Sequence, residues 1–175
     1  MSLPKSASIA QAGTQLIFDF SSGTPQILHW GKDLGTQAVE DLRLASVQPA
    51  AHAELDAHYF EGVWRENARG FISRPALLGH RAGKDFSQLF ELSDVSLTAT
   101  SMIATSIDKQ AGLEVMVSFV FVGSGVLKIS QEVKNIGSED FVIDALEVFM
   151  PLPDSVAESM DFAGRWVKER QPHRR

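Results

Sequence analysis

The 175-residue chain contains no cysteine, which excludes a disulfide framework, thiolate metal sites and a cysteine nucleophile together. Long apolar runs are missing too, since no stretch approaches the about 20 residues that a membrane helix needs. Residues 1–13, MSLPKSASIAQAG, carry one lysine and no apolar run behind it. Nothing there reads as an export signal, so a cytoplasmic location is the expectation. Positive charge is scarce: 16 Lys+Arg stand against 22 Asp+Glu, for a net charge of −6. Such a balance disfavours nucleic acid unless the basic residues cluster. They cluster only at the end, where Arg165, Lys168, Arg170, Arg174 and Arg175 against Glu169 give the last eleven residues +4 and leave −10 for the remainder. A short basic end of this kind reads as solvated. Neither nucleic acid nor membrane is an expected partner. What the chain does have is apolar content, 44% hydrophobic, enough for one ordinary domain with a core.

That content is arranged with period two, which sends alternate side chains to opposite faces of a sheet. Thr14 to Phe20 and Pro25 to Trp30, separated by Ser-Ser-Gly-Thr, predict an opening hairpin. Five further strands are predicted over Ser87–Ser93, Val95–Ile107, Leu113–Val122, Val126–Lys134 and Phe141–Met150. The turn-rich connections at 108–112, 123–125 and 135–140 are short enough to force antiparallel pairing. Phe141–Met150 alternates poorly, so both its faces are expected to be partly covered, as in a sandwich. Residues 1–13 are expected to be a flexible N-terminus. Gly31 to Ala82 shows no sustained period and is too long for an idle loop. The predicted fold class is therefore all-β, an antiparallel β-sandwich.

The chemistry-bearing residues form no self-sufficient active site. His29, His52, His58, His80 and His173, with Asp56 and Glu61, invite a metal reading, yet no pair sits at a ligand spacing on a predicted element. No Gly-x-Ser-x-Gly elbow or phosphate-cradling glycine loop occurs. Asp140 with Asp144, and Asp154 with Glu158 and Asp161, are close enough to suggest paired carboxylates. Surface carboxylates at turns are the simpler explanation of such pairs. No catalytic residue, metal or cofactor is expected from this chain. Two segments are more informative. Trp64 to His80, WRENARGFISRPALLGH, combines rings, arginines and turn residues, either as a sugar-contacting loop or as cover for a sheet edge anchored by Trp64 and Phe71. Met160 to Arg170, MDFAGRWVKER, carries a ring, a glycine and alternating charges.

These two segments resemble the N-terminal domain of family 36 glycoside hydrolases, the retaining α-galactosidases. Gly164-Arg165-Trp166-Val167-Lys168-Glu169-Arg170 is similar to that domain's Gly-x-Trp-x-x-Glu-Arg signature, preceded by Leu152-Pro153. Gly70 to Leu77 resembles the family's Gly-Asp-Phe-Arg-x-Pro-Ala-Leu loop, and Pro75 to Gly83 a common variant of its continuation. Where the commoner loop has Asp-Phe-Arg, this chain has Phe71-Ile72-Ser73, and its arginine is Arg74.

The resemblance implies a β-supersandwich of the galactose-mutarotase-like type over residues 14–175, a truncated part of an α-galactosidase. The catalytic (β/α)8 barrel, with both catalytic aspartates, is absent from this chain. It further implies association with that barrel and with neighbouring subunits in a homo-oligomer. An α-galactoside is the implied substrate of the intact enzyme, with Trp64, Arg65, Phe71 and Arg74 as the loop's substrate-binding or barrel-contacting residues. The competing class is a stand-alone carbohydrate-binding or adhesion sandwich, which Val133 to Gly137 and Pro151-Leu152-Pro153 also suit.

Overall fold

The computed structural model describes residues 3–35, 39–46, 62–152 and 155–175. The chain opens with an antiparallel meander of β1 (Ser6–Gln11), β2 (Thr14–Asp19) and β3 (Gln26–Lys32). The expected flexible start thus holds a strand. Its connection to β2 is the two-residue loop Ala12-Gly13, both with positive φ (53° and 79°), as the type I′ hairpin turn requires. Helix α1 (Val39–Ser46) lies beside β3, and its Arg43 pairs with the buried Asp19 at 3.2 Å.

β4 (Leu77–His80) comes next and pairs with the distant β9 (Val142–Leu146). At Gly79 a side chain would collide with the Val142 carbonyl, so this close approach requires glycine. The largest sheet is the meander β5 (Glu91–Leu97), β6 (Ser101–Asp108), β7 (Leu113–Val122) and β8 (Val126–Asn135). The break between its first two strands differs from expectation. The predicted break at Asp94 is a bulge within β5, and the predicted strand Val95–Ile107 is instead broken by a tight turn at residues 98–101, where Thr98 Oγ1 accepts from the Thr100 and Ser101 amides. That side-chain turn offers the backbone an alternative to continued extension. The chain ends in the hairpin β10 (Met160–Arg165) and β11 (Lys168–Arg174).

The core lies between the two meanders, as in a β-sandwich. Ile9, Leu16 and Phe18 face Met102, Ala104, Val115, Val117, Phe119 and Phe121, with Phe18 and Phe119 edge to face at 4.7 Å. β7 buries every odd-numbered residue from Leu113 to Phe121, the period-two pattern carried through without a break. The last predicted strand shrinks to Val142–Leu146, where Val142, Ile143 and Leu146 are exposed, while Phe141, Phe149 and Met150 beside it are partly covered by the core.

Candidate functional site: the loop from Gly62 to Arg81

This loop is irregular in backbone but firmly tied. Gly62 bridges to Gln26 of β3, the Ala76 amide donates to the Arg65 carbonyl at 2.9 Å, and the Glu147 amide donates to the Ala76 carbonyl at 2.8 Å. Between these ties the chain makes a single 3-10 turn, Asn67–Arg69, closed by Gly70 with φ of 93°. The turn places Glu66 and Arg69 side by side. Arg69 Nε donates to Glu66 Oε2 at 2.6 Å, and Arg69 Nη2 donates to the Phe90 carbonyl. The Phe90 amide donates to Glu66 Oε1 at 2.7 Å. Glu66 is buried, and that burial pushes its carboxyl above the usual carboxylate range, with the nearby Asp108 charge adding to it. The Phe90 N–H and the Arg69 guanidinium pull the other way without cancelling it. A buried ion pair gains little over an apolar one, yet breaking it is expensive. It therefore fixes where the loop leaves the core.

From that fixed point Asn67 shapes the tip. Its Nδ2 donates to the carbonyls of both Phe71 (2.6 Å) and Ser73 (2.8 Å), so Ile72 is held outward at 95% exposure. The four residues expected to meet substrate divide. Trp64 is 2% exposed and packs edge to face on Phe90 at 5.4 Å. Its ring has no face open to a sugar, which corrects that expectation. Val63 and Trp64 are both buried, whereas the next residue, Arg65, is only partly so. The Arg65 guanidinium lies over the rings of Phe71 (4.9 Å) and Phe149 (4.6 Å). Arg74 reaches Glu147 at 2.7 Å with half its side chain exposed. Arg65, Phe71 and Arg74 are thus brought together along the Glu147–Phe149 segment, whereas Trp64 is not. An exposed pair such as Arg74–Glu147 contributes about 0.2–1 kcal/mol, so its donor and acceptor groups can be re-used for a ligand or partner at small loss.

Arg81 closes the far end of the loop. It donates to the carbonyls of Ala111 (2.9 Å) and Glu139 and to Asn135 Oδ1 (2.9 Å), joining β4 to the ends of β7 and β8. Glu66, Asn67, Arg69 and Arg81, which position the loop, carry no role in the sequence expectation above. The readable signal was the Glu-x-x-Arg-Gly spacing, which fits a charged pair across one tight turn.

Of the histidines, His29 bonds the Lys32 carbonyl, His80 accepts from the Gly83 amide, and His173 lies 3.9 Å from Asp161. His52, Asp56, His58 and Glu61 lie outside the described residues, as does Asp154. Among the described residues no three metal-ligating side chains converge. Asp140 and Asp144 are exposed, and Glu158 and Asp161 pair with Arg174 and Arg175.

The second motif forms the terminal hairpin. Arg165 pairs with Lys168 across the two-residue turn Trp166-Val167, and a bulge falls between Ala163 and Arg165 at Gly164. Every residue of both strands is exposed, and Trp166 at the tip is 89% exposed. Residues 23–175, which include both loop and hairpin, match the glycosyl hydrolase family 36 N-terminal domain. The chain belongs to that family. An alpha-galactosidase of Escherichia coli is 36% identical over 150 residues, 85% of this chain but 21% of that protein. The family 36 domain also superposes on alpha-galactosidases of known structure. For the Lactobacillus brevis protein the TM-score is 0.81 at 16% identity, over 99% of this chain and 28% of that one. For the family 36 enzyme AgaB from Geobacillus stearothermophilus it is 0.71 at 16% identity, over 100% and 28%. At such identities the likeness is one of fold. The domain spans well under a third of the length of these relatives.

Proposed function

We propose that this chain is the non-catalytic N-terminal part of an enzyme that hydrolyses terminal α-galactosides. Its role is to support a catalytic barrel supplied by the rest of that enzyme and to contact neighbouring subunits. The observation that carries this reading is the family match over residues 23–175 beside relatives that are several times longer. A cytoplasmic location belongs to the same proposal. The surface formed by Arg65, Phe71 and Arg74 is the part of the loop that meets barrel or sugar. Trp64 acts beneath it as the anchor.

Two experiments test this. The purified 175-residue chain should not hydrolyse an aryl α-galactoside, and turnover that survives stringent purification would overturn the assignment of chemistry elsewhere. In the intact enzyme, Arg74→Ala should raise KM or lower kcat with Tm nearly unchanged, because it removes an exposed contact rather than packing. Unchanged kinetics would remove Arg74 from the functional surface.

A further inference from the structure

Sheet edges are where a β-protein is open to another chain, and the edges here are treated unequally. β5, at one side of the large sheet, is bulged between Leu92 and Asp94. β1, at the side of the first meander, is only six residues long. β8, at the other side of the large sheet, runs ten residues with no proline and in unbroken register with β7. No described strand pairs with its outer side. Its exposed face carries Val126, Lys128, Ser130, Glu132 and Lys134, and its half-buried face Leu127, Ile129, Gln131 and Val133.

Charges on a free edge commonly prevent pairing, and charges of one sign would do so here. The signs on β8 alternate. In a two-fold antiparallel pair of identical strands, directly opposed residues share a face, so only registers that match even with even numbers are allowed. With the axis at Ser130, Lys128 of each copy stands opposite Glu132 of the other, and Leu127 stands opposite Val133 on the inner face. Moving the axis to Gln131 sets Lys128 against Lys134. An axis at Lys128 or Glu132 sets like charges against themselves. The Ser130 register forms the Lys128–Glu132 pair twice by symmetry and pairs residues 126–134 of each strand, whereas an axis at Val133, which sets Glu132 against Lys134, pairs only residues 131–135.

We propose that β8 is a self-complementary docking edge for a second copy of this chain, joining two four-stranded sheets into one continuous sheet about Ser130. Main-chain hydrogen bonds supply the attraction, the Lys128–Glu132 pairs set the register, and the outer flanks of Leu127, Ile129 and Val133 become covered.

A charge-swap series on the 175-residue chain tests it by light scattering and sedimentation across the micromolar range. The unaltered chain should show a monomer–dimer equilibrium. Glu132→Lys, or Lys128→Glu, replaces two attractive pairs by two repulsive ones and should raise the dissociation constant about tenfold or more. The double variant Lys128→Glu with Glu132→Lys should return it close to the starting value. Both positions are exposed, so the circular dichroism spectrum, and Tm read at dilutions where every variant is monomeric, should stay unchanged and report that folding is intact. A monomer at every concentration would overturn the proposal. So would single variants that dimerise normally, or a double variant that fails to recover. Loss of the dimer on Trp166→Ser instead would assign the contact to the hairpin and overturn it equally.

Discussion

The two segments that carry the family's motifs are opposites in structure. The loop from Gly62 to Arg81 has little regular structure, yet it is anchored by Trp64 in the core and by the Glu66–Arg69–Phe90 clamp. The hairpin Met160–Arg174 has regular strands, yet Met160, Phe162 and Trp166 are all exposed. Regularity and stability are therefore separate properties here. Buried contacts determine the second, and a two-stranded ribbon without them is marginal in water. The loop draws its order from this chain's own core. The hairpin offers an apolar side that calls for cover from outside the described residues.

The contrast is sharpest for the two tryptophans. Trp64→Ala should remove about 3–5 kcal/mol, as expected for emptying a packed aromatic site, and lower Tm by several degrees. Trp166→Ala should stay within about 0.5 kcal/mol. Chemical denaturation of both variants measures the difference, and comparable losses would erase the distinction between the regions.

Next in size is the clamp. Glu66→Ala leaves Arg69 charged without its carboxylate partner and should lose about 3–5 kcal/mol at most, with the loop loosened before the sheets melt. Its pH dependence has a defined sign. Because burial raises the Glu66 pKa in the fold above its usual 4.5, the folded state holds this proton more tightly than the unfolded chain does. This group's contribution therefore favours the fold below the usual value and is lost as pH rises through the folded value. Relative to Glu66→Gln, the unaltered chain should gain stability as pH falls from neutral towards 4.5. Urea midpoints of the pair across that range supply the check, and a difference that grows with rising pH would reverse the assigned cause.

A smaller effect is expected at the β4–β9 pairing. Gly79→Ala places a methyl group against the Val142 carbonyl, and relief by strand separation should cost about 1–3 kcal/mol. Protection of the amides in Leu77–His80 should fall while that of β6 and β7 is kept. Equal loss throughout would mean that β4 is part of the same cooperative unit as the large sheet.

Much of this was legible in the sequence where alternation is clean. β7 matches its predicted bounds, and β8 differs by one residue, because burial alternates residue by residue along each strand. β1 was hidden by small residues, Ser-Ala-Ser-Ile-Ala-Gln, and by an Ala-Gly turn in place of the usual Asn-Gly. β4 is four residues long and owes its extended form to β9, far along the chain, which no local pattern reveals. In the loop, the resemblance singled out the segment but not the direction of each side chain. Trp64 and Arg65 look equally suited to a ligand in the sequence, and only the packing of Phe90 against one side decides which turns inward. Glu66 cannot be singled out from the sequence, because a carboxylate in a polar loop reads as solvated until its burial is known.

Native-state hydrogen exchange on the 175-residue chain tests the contrast most directly, since it reads opening free energy amide by amide. The amides of Phe90, Ala76 and Arg69, which the loop's ties hold, should exchange at rates approaching those of the core strand β7. Those of β10 and β11 should exchange with little protection. Protection of the hairpin equal to that of β7, or rapid exchange at Phe90 and Ala76, would contradict the claim that the loop belongs to this chain's core and the hairpin does not.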